Sequence, residues 1–162
     1  MTKHSYIQRR LLLAAIALVL WASCTTPAGY TAFELMPSEE WHRDSILRFE
    51  LPVEDTARSY NLVLDVRSST DYRFQNLYLF IDIEAPNGAT LRDTLECFLA
   101  DDAGRWLGSG HGALRDNRYM YREGARFAMQ GAYRLSIQQA MRMEALKGVV
   151  GVGIRMEEAP QK

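Results

Sequence analysis

The chain of 162 residues has room for one ordinary domain, and 48% hydrophobic with 24% charged residues is the composition of a globular protein, which argues against disorder. Its formal net charge of −1 argues against a nucleic-acid partner, because such a partner selects a basic face.

Residues 1–23 have the pattern of a lipoprotein signal peptide. Three Lys or Arg residues among the first ten form a positive start, and the apolar run 11–21 follows. This run is shorter than the roughly 20 residues that a membrane-spanning helix needs. Ala22 and Ser23 are small and precede Cys24. We predict that residues 1–23 are removed and that Cys24 is lipidated, with a buried N-terminal helix as the structural alternative.

Maturation at Cys24 changes the chain in two further ways. The removed segment carries three basic and no acidic residues, so the formal net charge moves from −1 to −4. Cys97 is the only other cysteine, so a lipidated Cys24 excludes an internal disulfide. The apolar surroundings of Cys97 favour a small buried residue over a reactive thiol. We expect a lipidated cysteine and tether at 24–29, a folded domain at 30–158 and a tail at 159–162.

The domain has the residue period of β-strands, in which apolar and polar residues alternate. We predict strands at 46–53, 60–67, 77–83, 90–99, 118–128, 132–138 and 149–157. Pro86-Asn87-Gly88 is a turn signal. The run 77–83 is so apolar that Tyr78 is predicted to lie in the core. Three sets of alternate residues are each predicted to share one face: 60, 62, 64 and 66; 133, 135 and 137; and 150, 152, 154 and 156. Only segment 138–147 has helical character, which favours one short helix or turn.

About eight short strands joined by turns predict an all-β fold. We expect a single antiparallel β-sandwich with a jelly-roll-like strand order.

The residues offer little support for catalysis. Gly108-Ser109-Gly110-His111-Gly112 has glycines directly beside the serine, whereas a nucleophile elbow needs them two positions away. Phosphate-loop spacings are also missing from this segment, so we interpret it as a Gly-rich connection. A hydrolase would need His111 within hydrogen-bond distance of Asp101 or Asp116. We predict no enzyme activity and no cofactor.

Metal ligands are equally sparse in the mature sequence. Its only histidines are His42 and His111, without zinc-site spacing. Asp101, Asp102 and Asp116 could supply oxygens to calcium, but loop aspartates more often form turns. We therefore predict no metal site.

One surface is a candidate for partner binding. Trp106 emerges from the polar loop 100–108, where it either contacts a partner or covers the end of the sandwich. Trp41 carries the same ambiguity. Arg142, which lies between two methionines, is expected to pair with Glu144 or Asp101 if it is partly buried. We take Trp106, His111 and Arg142 as the candidate surface.

Four stretches of the sequence resemble the GldH-type gliding motility lipoproteins of the Bacteroidetes. They run in the family's order across nearly the whole mature chain, and Cys24 stands where the family has its lipoprotein cysteine. The stretches are Trp41-His42-Arg43-Asp44, residues 72–81, residues 99–110, and residues 131–142 followed by 146–153.

This resemblance implies a lipid-anchored, non-catalytic envelope component of the gliding motility and type IX secretion-associated machinery. Its partners would be the membrane, through Cys24, and other envelope proteins. Residues 25–28 contain no acidic residue, which predicts the periplasmic side of the outer membrane, because exported lipoproteins of this phylum tend to carry acidic residues there. A carbohydrate-binding module for glycan or peptidoglycan is the alternative.

Overall fold

A computed structural model describes residues 29–160. The predicted signal peptide, Cys24 and most of the predicted tether lie outside the described residues. The described chain forms ten strands and one 3-10 turn at Pro37–Glu39. The strands are β1 (Gly29–Leu35), β2 (Glu40–His42), β3 (Leu47–Val53), β4 (Tyr60–Ser69), β5 (Asn76–Glu84), β6 (Thr90–Phe98), β7 (Leu114–Ala125), β8 (Gly131–Gln139), β9 (Ala145–Lys147) and β10 (Val149–Glu158).

Two four-stranded sheets build the sandwich. One has the order β1-β10-β4-β7 and the other β3-β8-β5-β6, while β2 and β9 form a separate short pair. All pairings are antiparallel. Apart from the hairpin of β5 and β6, each long strand is followed by one in the opposite sheet, so neighbours within a sheet come from distant parts of the chain. This is a jelly-roll order, and the predicted all-β sandwich is confirmed.

Alternating burial explains why these segments pair as strands. On β4, Tyr60, Leu62 and Leu64 point into the core, and on β8 Leu135 and Ile137 do so from the opposite sheet. Each apolar side chain withdrawn from water in this way stabilises the fold by about 1.5–3 kcal/mol. The faces predicted for these two strands are confirmed.

The first residues of β10 depart from the predicted alternation. Val149 pairs with Ser68 and Gly151 with Arg67, so one residue is inserted between two successive pairs. This β-bulge puts Val149 in the core and leaves Val150 half-buried. The prediction that Val150 shares the face of Val152 is therefore wrong at this one position.

The position of Tyr78 also differs from the prediction. Its neighbours Leu77 and Leu79 are fully buried, whereas Tyr78 is 37% exposed on the outer face of β5. Strand residues alternate between faces whatever their hydrophobicity, so a continuously apolar run still sends every second side chain outward. The predicted core position of Tyr78 is wrong.

The predicted helical segment forms no α-helix. β8 continues to Gln139, a bend follows, and β9 then pairs with β2. The buried side chain of Gln139 organises the bend: its Oε1 accepts from Met141 N at 2.9 Å, and its Nε2 donates to Met143 O at 2.9 Å. The backbone of this bend therefore has hydrogen-bond partners without a helix. Of the predicted helix or turn, the structure has the turn.

Candidate functional site

The connections between strands are distributed unequally over the two ends of the sandwich. Residues 36–46, 70–75, 99–113 and 140–148 meet at one end, here called the loop-rich end. The short connections 54–59, 85–89 and 126–130 lie at the other end, here called the chain-entry end, because β1 begins there with Gly29 paired to Glu157. All three predicted surface residues lie on the loop-rich end.

Trp106 stands on a hairpin that Asp101 holds in shape. Asp101 Oδ1 accepts from the backbone nitrogens of Ala103 at 3.0 Å and Arg105 at 2.9 Å, and Gly104 N donates to Asp101 O at 2.8 Å. The backbone donor of Arg105 is the main cause that lowers the pKa of Asp101. Asp101 is therefore a turn former, which leaves it poorly suited to bind calcium.

The Trp106 ring is half-buried and packs against the core cluster. Its strand position is fixed by a bridge to Ala100. The ring covers the end of the sandwich with one side and keeps the other side at the surface. This half-buried position is compatible with both expected roles of Trp106, which are to cover the end of the sandwich and to contact a partner.

His111 lies exposed at the tip of a second hairpin, in which Ser109 bridges Asp116. Asp116 binds Arg67 with two hydrogen bonds of 2.6 and 3.1 Å. Within residues 29–160, no ion pair joins a His111 ring nitrogen to Asp101 or Asp116, and these two aspartates pair with Arg105 and Arg67. The geometry that a hydrolase would require is not assembled there.

Arg142 is exposed and its expected ion pair is not formed. Glu144 instead lies 3.4 Å from the Nε2 atom of His42, and Asp101 is bound to Arg105. The backbone carbonyl of Arg142 accepts a hydrogen bond from Arg43 Nη2 at 2.8 Å. Because the side chain is exposed, water solvates its charge and no carboxylate is needed. No hydrogen bond or ion pair in the described chain joins Trp106, His111 and Arg142 to one another.

One aromatic side chain and one thiol at the loop-rich end belong to the core. Trp41 is fully buried and donates from Nε1 to Ser45 O at 2.8 Å, which resolves its ambiguity. Cys97 is also fully buried, and burial raises the pKa of its thiol to about 12. A thiol with such a pKa is almost entirely protonated near neutral pH. The interpretation of Cys97 as a structural residue is confirmed.

A groove on the outer face of the β1-β10-β4-β7 sheet was missed from sequence. Its volume is about 690 Å³. We call it the Phe33 groove, and its lining residues are Thr31, Phe33, Asp65, Arg67, Ser109, Asp116, Asn117, Arg118 and Arg155. The available signal was the alternation of Gly151 and Gly153 in a predicted strand, since glycine inside a strand marks a close approach of another group.

Residues 29–160 hold neither a cluster of metal-ligating side chains nor a membrane-spanning helix. No group of three or more His, Cys, Asp and Glu side chains in this part of the chain is placed to hold a metal ion. The same residues contain no helix that is long and apolar enough to cross a membrane.

Comparison with known proteins decides the family. The GldH lipoprotein family model matches residues 28–156, which include the loop-rich end and the Phe33 groove. The chain belongs to the GldH lipoprotein family. This confirms the resemblance seen in the sequence and places the chain among gliding-motility-associated lipoproteins, whose location is membrane-anchored in the cell envelope.

Relatives of the family match over nearly their whole length. A gliding motility lipoprotein GldH homolog of Christiangramia forsetii is 36% identical, with 88% of this chain and 91% of that protein covered. Gliding motility lipoprotein GldH of Flavobacterium johnsoniae is 37% identical, with 91% and 94% covered. Dimeric latent PorU of Porphyromonas gingivalis aligns at a TM-score of 0.35 and 12% identity, covering 85% of this chain and 14% of that one. That score carries no fold argument.

Proposed function

We propose that this GldH family member is a non-catalytic assembly component of the gliding motility and type IX secretion-associated machinery, anchored by lipid on Cys24. The loop-rich end is its contact surface for other envelope proteins. The observation that carries this proposal is that Gly29 and the long connections lie at opposite ends of the sandwich.

The anchor geometry follows from the length of the tether. Only residues 25–28 separate Cys24 from Gly29, and an extended chain spans at most about 3.6 Å per residue. The chain-entry end therefore stays within roughly 18 Å of the lipidated cysteine. The loop-rich end, at the far end of β1, points away from the membrane and is accessible to partners.

The chemistry of the loop-rich end suits protein contact better than catalysis. Its exposed side chains mix an aromatic face at Trp106 with an exposed apolar Leu107 and charged Arg142. Aromatic and arginine side chains are the residues that most often dominate protein interfaces. His111 has no acidic partner there that would activate it, which supports a non-catalytic role.

We place the protein on the periplasmic side of the outer membrane, since residues 25–28 lack acidic side chains. Replacing Cys24 with Ala should move the protein from the membrane to the soluble fraction. Protease added to intact cells should leave the wild-type protein whole. Membrane retention of Cys24→Ala would contradict the anchor, and cleavage in intact cells would contradict the orientation.

Photocrosslinking in living cells tests the contact surface. A photoreactive aromatic residue at position 106 should capture envelope proteins. The matched control is position 54, because Glu54 is exposed at the chain-entry end. Capture of no envelope protein from position 106, or of the same proteins in equal yield from position 54, would contradict the proposal.

A further inference from the structure

The Phe33 ring lies flat on the outer face of the sheet. Gly151 and Gly153 of β10 form the floor beneath it: a Cβ atom at Gly153 would stand 2.5 Å from Phe33 Cδ2, and one at Gly151 would collide with Cε1. The ring is 38% exposed. The lower face of the ring covers the two glycines, and the guanidinium of Arg67 lies over part of the upper face, which is turned to solvent.

Two arginines beside this ring are held in place by one carboxylate. Asp65 has a side chain that is only 16% exposed, and it accepts a hydrogen bond from Arg118 Nε at 3.3 Å and another from Arg155 Nε. Both bonds use Nε. Among the described residues, the Nη groups of these two arginines have no hydrogen-bond partner, so they are free to donate to a ligand.

The groove carries more positive than negative charge. Arg67 is bound to Asp116 through two hydrogen bonds, and its guanidinium lies over the Phe33 ring, 5.6 Å from the centroid. Three arginines thus face two aspartates in a chain whose mature sequence has a net charge of −4 by the count above. This local excess favours an anionic ligand.

We propose that the Phe33 groove binds an acidic oligosaccharide. The part of the upper ring face that Arg67 leaves exposed packs against the C–H-rich face of a pyranose, as aromatic rings present a negative face to polarised C–H groups. Arg118 and Arg155 donate to its carboxylates, for which prearranged guanidiniums are well suited. This ligand site goes beyond the assembly role and does not depend on it.

The opposite sheet provides an internal comparison. Phe80, 36% exposed, also has an arginine over its ring, with Arg92 at 5.7 Å. Arg92 is bound by Asp82 through both Nε and Nη2, at 2.6 and 2.7 Å. Phe80 lacks the glycine floor and the second and third arginines, so Phe80→Ala is the matched control.

The test uses the mature lipidated protein in detergent and isothermal titration calorimetry. The probes are tetragalacturonate, its neutral methyl ester, a glycan repeat of N-acetylglucosamine and N-acetylmuramic acid, and an oligoglutamate peptide. We expect at least one acidic saccharide to bind and the methyl ester to bind more weakly. Added salt should weaken binding. Arg118→Gln should weaken it about tenfold or more through loss of a charged hydrogen bond, and Phe33→Ala by a similar factor through loss of the ring contact.

Several outcomes would overturn the site. The proposal is wrong if neither acidic saccharide binds at millimolar concentration. It is also wrong if Phe80→Ala loses as much affinity as Phe33→Ala. Binding of oligoglutamate that Phe33→Ala leaves unchanged would assign the groove to an acidic peptide instead. Arg118 is 61% exposed in its side chain, so Arg118→Gln should fold normally. It therefore keeps the test decisive even if Phe33→Ala unfolds.

Discussion

The two ends of the sandwich are closed in different ways. At the loop-rich end, large buried side chains such as Trp41, Tyr72 and Leu146 fill the space between the sheets. At the chain-entry end, short turns leave an open apolar cavity of about 350 Å³, lined in part by Phe127 and Met129. In this sandwich the long connections close their end more completely than the short ones do, because they carry side chains of their own into the core.

The long connections are also tied to one another. Gly148 N donates to Glu39 O at 2.8 Å, and Gly148 O accepts from Ser69 N at 2.8 Å. Thr70 N donates to Ala113 O at 2.8 Å. These bonds link connection 140–148 to connection 36–46 and to the end of β4, and they link connection 70–75 to connection 99–113. Hydrogen bonds of this kind limit the movement of the connections relative to one another, including the connection that carries Trp106.

The largest expected effect tests the difference in packing between the ends. Trp41→Ala should lower the free energy of unfolding by about 3–5 kcal/mol, because it empties a fully buried site. Phe127→Ala should lower it by only about 2 kcal/mol, since Phe127 is half-buried, although it packs edge-on against Tyr60 and Tyr133. Urea unfolding measures both. Equal losses would show that the two ends are packed alike.

Two glycines with similar backbone conformations sharpen the comparison. Gly148 has φ +88° at the loop-rich end, where a Cβ would stand 2.5 Å from Tyr72 N. Gly88 has φ +83° at the chain-entry end, where a Cβ would meet nothing within 4 Å. Gly88→Ala should lower the free energy of unfolding by about 1 kcal/mol through backbone strain alone. Gly148→Ala should lower it by about 3 kcal/mol, since the Tyr72 backbone must also move. Thermal or urea unfolding of both variants measures these losses, and equal losses would contradict the prediction.

The smallest effect concerns the Asp101 turn and its pH dependence. Backbone donors hold the pKa of Asp101 below its ordinary value in the folded state. The ionised group therefore stabilises the fold above about pH 4 and ceases to do so as the pH falls through the lowered folded pKa. Asp101→Asn should melt below the wild type at pH 7, and the difference should shrink toward pH 3. Asp102→Asn at an exposed neighbouring position is the control; a trend of the same size in that variant would remove the special role of Asp101.

Much of the fold could be predicted from the sequence because a jelly roll exposes one face of most strands. Each of the seven predicted segments contains or overlaps one observed strand, and β4 and β8 have the predicted inward faces. β1 was missed because its inward residues are Tyr30, Ala32 and Glu34, which do not form an apolar row. An edge strand that buries so little has no clear alternation.

Local preference misled the prediction at segment 138–147. Its alanines, methionines and leucine favour a helix, but this connection must cross from β8 to β10 and pair with β2 on the way. Tertiary packing of Leu146 and the hydrogen bonds of Gln139 outweigh that preference. Propensity differences of a few tenths of a kcal/mol per residue are too small to resist this.

The candidate sites were less accessible to sequence reasoning than the strands. Trp106 was recognised because a large aromatic in a polar loop stands out, but its half-burial depends on packing between connections. The Phe33 groove requires β1 to lie beside β10 and β7 beside β4. Such long-range pairings bring Phe33, Arg67 and Arg155 together, and no local pattern records them.

The pairing of β1 has a mechanical consequence for an anchored protein. Under the proposed anchoring at Cys24, the chain from the membrane leads into Gly29, and from there β1 is bonded to β10 along its whole length, to Leu35 opposite Gly151. A pull between the membrane and a partner held at the far end acts along β1. All cross-strand hydrogen bonds of this pair then bear load together and in shear, instead of opening one after another. Traction on the anchor therefore meets the strand pair in the direction in which it is hardest to separate.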